Sequence, residues 1–210
     1  MKRSLALSMA LLAAIVGTAQ LMNFMDPVRM AASPTRLMTS IPVQRELGLD
    51  SKQKAEIKKL LDGYTKWLGE ASKSSNQDFA AMSGVLKEME AKEAEFGRQG
   101  VALMTPEQAI RYKQVRLQVL GGRALSEPEV QDDLALDDTQ KAAVTEYARN
   151  ETRGLLEAAR KGTGAIKAWD KGGEAREAEL VKVLSAEQAA KYAALRGKTF
   201  KDAKLIRNGR

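Results

Sequence analysis

Four copies of one short signal cut this chain into helices. They are Leu49-Asp50-Ser51-Lys52-Gln53, Met104-Thr105-Pro106-Glu107-Gln108, Leu136-Asp137-Asp138-Thr139-Gln140 and Leu184-Ser185-Ala186-Glu187-Gln188. Each reads as an apolar residue, then Ser, Thr or Asp, two variable residues and Gln. This is the pattern of a capping box. The Ser, Thr or Asp oxygen accepts an N–H of the first turn, and the Gln three residues on accepts the N–H of the cap itself. Pro106 falls at the first helical position, where its missing N–H costs nothing. Asp50, Thr105, Asp137 and Ser185 are therefore assigned as caps, closed by Gln53, Gln108, Gln140 and Gln188. A functional role for the four Gln is the alternative, but capping satisfies their spacing without remainder.

The four signals fall into two pairs because the chain is duplicated. The frame Val-Gln-x-x-Leu-x-Leu-Asp-x-x-Gln-Lys-Ala runs from Val43 to Ala55 and again from Val130 to Ala142, displaced by 87 residues. Glu107 to Arg116 matches Glu187 to Arg196 at a displacement of 80. The second copy is thus seven residues shorter between its caps (87 less 80). That is about two helical turns, so the facing of a helical stripe is kept. In the first copy Ile57, Leu60, Leu61, Tyr64, Trp67 and Leu68 lie at three-and-four spacing. Phe79, Met82, Leu86, Met89 and Phe96 continue a coiled-coil-like seam in which Glu93 is the polar member. Together they predict a helical hairpin turning at Ser72 to Asn76. In the second copy Val144, Tyr147, Ala148, Leu155 and Ala159 form one stripe, and Ile166, Trp169, Leu180 and Val183 the other. Gly172-Gly173 predicts a bend there, since Gly weakens a helix interior. A shorter helix closes each copy, over Pro106 to Leu120 and Ala186 to Lys201. The prediction is an all-α chain of tandem helical hairpins, elongated or cradle-like, with units of about three helices at 41–122 and 123–203. Residues 20–40, rich in Met and without a clean period, read as a flexible arm, and 204–210 as a basic tail.

The 210 residues include no Cys and no His. This removes Cys nucleophiles, Ser-His-Asp triads, disulfides and His-bearing metal sites together. No Ca²⁺-loop pattern of carboxylates is present. The expectation is a protein with no catalytic residue, no cofactor and no metal, hence not an enzyme. The N-terminal Met residues would suit Cu(I), but without a Met-x-Met cluster adaptable apolar contact fits better. Met1-Lys2-Arg3, the apolar run Leu5 to Val16 and Gly17-Thr18-Ala19 match a signal peptide over 1–19; an uncleaved anchor, with the run extended through Leu21, is the alternative. The expected location is periplasmic or otherwise extracytoplasmic. The net charge is +7, and Lys191 to Arg210 carry seven Lys/Arg against one Asp. Such a tail suits an anionic membrane surface or envelope polymer. Nucleic acid is not expected as a partner of an exported chain.

Tyr112 with Arg116, and Tyr192 with Arg196, share a helix face at i, i+4. They are candidates for gripping an extended or anionic chain. The alternative is a Tyr packed on the hairpin beside a solvated Arg.

Met104-Thr105-Pro106-Glu107-Gln108 and Leu184-Ser185-Ala186-Glu187-Gln188 resemble the LTxxQ motif of the periplasmic Spy/CpxP-like proteins; the Asp-bearing copies are looser versions. The resemblance covers about residues 41 to 201. It implies a small helical protein that dimerises into a curved cradle and acts as an ATP-independent chaperone or envelope-stress modulator. Four motifs stand here instead of the family's two. The resemblance therefore implies a monomer with internal pseudo-symmetry in place of a homodimer. The expected function is chaperone-like binding of unfolded envelope proteins. The alternatives are a regulatory partner of a membrane stress sensor and a scaffold on an anionic polymer.

Overall fold

The computed structural model describes residues 26–74, 79–164 and 171–207. The expected signal peptide, the start of the Met-rich arm, the end of the Ser72–Asn76 turn, and Ile166 and Trp169 lie outside the described residues. Among those described, all regular structure is helical and there is no strand. Three short helices come first: α1 (Pro27–Ala31), α2 (Pro34–Thr39) and α3 (Ile41–Glu46). Then come α4 (Ser51–Ser74), α5 (Phe79–Ala102) and α6 (Pro106–Leu120). A 3-10 segment at Gly121–Ser126 leads to α7 (Pro128–Asp133), α8 (Asp138–Lys161), α9 (Gly173–Val181), α10 (Ala186–Arg196) and α11 (Ala203–Arg207).

The duplication extends further toward the N-terminus than the sequence frame. α2 and the 3-10 segment, α3 and α7, and α4 and α8 are pairs of equal length displaced by 87 residues. Single bonds repeat as well. Gln44 Nε2 donates to the Met38 carbonyl at 2.9 Å, and Gln131 Nε2 donates to the Leu125 carbonyl at 3.0 Å.

The chain separates into two compact units. Unit 1 runs up to Arg116 and takes back the stretch from Phe200 on, whereas unit 2 is Leu117–Thr199. These bounds differ from 41–122 and 123–203, and the reason lies in the two ends. The expected arm is, from Asp26 onward, part of the unit 1 core. Leu37 and Met38 are fully buried, and a Cβ on Gly100 would collide with Met38 Sδ. Asp26 caps α1 through the Val28 N–H at 2.9 Å, and Ser33 caps α2. The segment lacks a helical period because Pro27, Pro34 and Pro42 each open a helix too short to show one. The expected tail likewise packs: α11 lies against α1, with Phe200 and Ala203 buried.

Within unit 1, α4 and α5 pack antiparallel, since Gln53 meets Leu103 and Tyr64 meets Phe96. Their seam is deep only in part. Ile57 and Phe96 are buried, but Leu60, Tyr64, Trp67 and Leu86 are only half-buried. In unit 2, α8 ends at Gly162, whose φ of +99° suits glycine, and α9 starts at Gly173.

The turns before α4 and α8 hold equivalent residues in the left-handed region, Gly48 at φ +60° and Ala135 at φ +49°. In both, the next residue closes the turn: Leu49 N–H reaches the Gln44 carbonyl and Leu136 N–H the Gln131 carbonyl, each at 3.0 Å. An L-residue in this region costs roughly 1–2 kcal/mol. Nothing lies within 4 Å of a Cβ built on Gly48, so the cost there is conformational alone. Gly48→Ala is therefore expected to lose about 1 kcal/mol, and Ala135→Gly to gain about 0.5 kcal/mol after the entropy of a freer unfolded chain. Urea midpoints at constant slope check both signs.

Candidate functional site

The capping glutamines do more than cap. In unit 1, Gln53 N–H donates to Asp50 Oδ1 at 2.8 Å, and Asp50 N–H donates to Gln53 Oε1 at 3.0 Å. Gln108 and Thr105 close the same box at 3.3 and 3.0 Å. The two side-chain amides then bind each other: Gln53 Nε2 lies 2.7 Å from Gln108 Oε1, and Gln108 Nε2 lies 3.3 Å from Gln53 Oε1. Each amide also donates to a carbonyl, Gln53 to Leu103 at 2.8 Å and Gln108 to Gly48 at 3.3 Å. The starts of α4 and α6 are thus tied by one four-armed clasp.

Unit 2 repeats the clasp. Gln140 and Gln188 close boxes on Asp137 and Ser185. Their amides exchange bonds at 2.7 and 3.0 Å. Gln140 donates to the Val183 carbonyl and Gln188 to the Leu134 carbonyl. Leu103 and Val183 are 80 residues apart, which fixes the register between the ends of α5 and α9.

Of Tyr112, Arg116, Tyr192 and Arg196, the structure buries the two tyrosines and leaves the two arginines half-buried. Tyr112 is 6% exposed and Tyr192 only 2%, so both are core residues. The Tyr192 hydroxyl donates to the Gly121 carbonyl at 3.0 Å. The Tyr112 hydroxyl is buried without a hydrogen bond, and burial pushes its pKa up. Arg196 is not a free solvated cation either. It pairs with Glu177 at 2.9 Å and stands 5.5 Å from the Tyr192 ring centre. Gln118 donates to the Arg196 and Lys198 carbonyls and so closes the end of α10. Tyr112 thus anchors α6 and Tyr192 anchors α10 from the core.

Unit 2 carries a buried ion network. Glu151 pairs with Arg176 and lies 3.9 Å from Arg123 Nη1. The Glu151 and Arg123 side chains are 7% and 4% exposed. Arg123 also donates to Thr152 Oγ1 at 3.4 Å. Buried charges persist only when paired in this way.

Unit 1 instead holds an open cleft of about 210 Å³ between α4 and α5. Leu60, Tyr64, Trp67 and Phe96 supply its apolar wall, and Lys59, Lys92, Glu95 and Gln99 complete the lining. Tyr64 meets Trp67 at 5.9 Å between centroids and Phe96 edge-on at 6.4 Å. Gly63 also lines it, and a Cβ built there would touch nothing within 4 Å. Burial, then the charge of Glu93 and a hydrogen bond to it, raise the Tyr64 pKa to about 12. The same Glu93 accepts the Thr35 hydroxyl at 2.6 Å and the Thr35 N–H at 3.3 Å, which accounts for an acid in the apolar seam. The sequence stripe contained these aromatics but read them as core; Gly63 among them was the signal that the face is not closed.

Among the described residues no helix is long and apolar enough to cross a membrane. No family model, curated protein or solved structure matches the chain.

Two outcomes follow from this geometry. Gln53→Glu keeps the shape but removes both donors and sets a carboxylate against the Leu103 carbonyl and Gln108 Oε1. A loss of about 1–3 kcal/mol is expected by chemical unfolding. Tyr64 and, mainly through burial, Tyr147 ionise only near pH 12 when folded, against about 10 when unfolded. Their contribution is complete below pH about 10 and is lost as pH rises toward 12, because the unfolded chain releases its protons first. Unfolding midpoints should fall across that window, with tyrosinate absorbance rising late.

Proposed function

We propose that this chain is an exported, ATP-independent chaperone-like protein. It captures apolar side chains of unfolding extracytoplasmic proteins. The observation that supports this reading is the open cleft of unit 1, where two rings and a Leu stay half-solvated instead of closing into the core. Leaving apolar surface wet costs roughly 25 cal/mol per Å² relative to burial, so a partner that covers it is bound favourably. The lysines at the lip add attraction for acidic segments without requiring a defined sequence. The buried Tyr112 and Tyr192 support the reading indirectly, by fixing the third helix on which each clasp is built.

Light scattering of two unrelated denatured proteins, with and without this chain and without ATP, tests it. Suppression of both at near-stoichiometric ratio is expected. Gly63→Leu, which fills the cleft, should remove most of that suppression, while Gly69→Leu, outside the lining on the same helix, should keep it. Failure to suppress either protein would overturn the reading.

A further inference from the structure

The two units share their clasp, but the residues that line the cleft of unit 1 do not recur in unit 2. At displacements of 87 and 80, Gln53, Gln108, Gln44 and Tyr112 return as Gln140, Gln188, Gln131 and Tyr192. The cleft positions do not return. Leu60, Gly63, Tyr64 and Trp67 become Tyr147, Asn150, Glu151 and Gly154, and Phe96 becomes Arg176. The Tyr64–Phe96 ring contact of unit 1 is therefore replaced, position for position, by the Glu151–Arg176 ion pair of unit 2. The aromatic wall is specific to one copy of a frame that folds without it.

We infer that the cleft of unit 1 is a site for one aromatic or large aliphatic side chain flanked by carboxylates, and that unit 2, closed by its ion pair, has no equivalent. This deepens the proposed function and rests on the same cleft. Its size sets the first half of the claim. At about 210 Å³ it is smaller than cofactor or drug sites, which run to roughly 300–1,000 Å³, and suits a single side chain. Charge sets the second half. α4 carries six Lys against three acids and α5 three Lys/Arg against four acids, a net +2 for the two walls, and the lining itself sets Lys59 and Lys92 against one acid, Glu95. Among the described residues Lys59 and Lys92 at the lip pair with Glu56 and Glu95 of their own helices, and their side chains are 71% and 43% exposed. Such exposed i, i+3 pairs are weak, so they can exchange for an incoming carboxylate at little cost.

The test uses the ¹⁵N-labelled chain and follows the Trp67 indole N–H by NMR. The probe is a nine-residue peptide with a central Phe and two Asp on each side; the controls carry Lys in place of Asp, or Ala in place of Phe. The Asp-flanked Phe peptide should shift Trp67 saturably, with one site per chain. The Lys-flanked peptide should bind at least about five-fold more weakly, and the Ala peptide should leave Trp67 unmoved. Gly63→Leu should abolish the shift, and Gly69→Leu, on the same helix but outside the cleft lining and with nothing within 4 Å of its Cβ, should retain it. Four results would overturn the inference: equal response to the Ala peptide, tighter binding of the Lys-flanked peptide, persistence in Gly63→Leu, or a Trp67 shift driven by protein concentration alone, which would make the occupant a second copy. Peptide binding without suppression of aggregation would leave the site standing and remove the chaperone reading. Suppression without peptide binding would do the reverse.

Discussion

Everything in each unit hangs on a pair of side-chain amides. A helix start leaves its first N–H groups without intrahelical partners, and a capping box satisfies two of them locally. Here the closing residue is Gln in all four boxes, and Gln has what Glu lacks: after its oxygen has accepted the cap N–H, its nitrogen still has two protons. In unit 1 those protons go to the opposite Gln and to a carbonyl at a chain turn. Unit 2 does the same. A local device thereby becomes a long-range one, fastening residues some fifty apart in sequence. Beyond this fixed end α4 and α5 run antiparallel, and their seam is only half-buried from Leu60 to Trp67.

Thin packing is where the two copies part. The far reach of α8 and α9 is held by Glu151, Arg123 and Arg176, a network that needs every member because a buried charge without its partner is costly. The corresponding reach of α4 and α5 is held by rings that touch edge-on and leave a gap. One frame thus supports, at equivalent positions, an ion pair in one copy and an open aromatic cleft in the other. The functional reading concerns the open one.

Much of this was legible from residues. The caps follow from spacing alone, and the duplication from the Val43 and Val130 frames. The all-helical class follows from the periods of α4 and α8. What escaped were features that depend on which helix faces which. The clasp required two boxes to meet. The partner of Glu93 proved to be Thr35, in a segment whose proline-broken helices show no period. Tyr112 and Tyr192, read as possible surface contacts, are core because their i, i+4 geometry says only that Tyr and Arg share a face, not that the face looks outward. The cleft escaped because a half-buried aromatic stripe and a buried one have the same spacing.

The two units share one architecture, and the cleft of α4 and α5 belongs to unit 1. Hydrogen–deuterium exchange of the chain alone and with an unfolding client distinguishes the units. Slowed exchange is expected only in the cleft stretches of α4 and α5, around Gly63 and Phe96, with the equivalent stretches around Asn150 and Arg176 unchanged. Equal protection of both units, or protection of unit 2 alone, would contradict it.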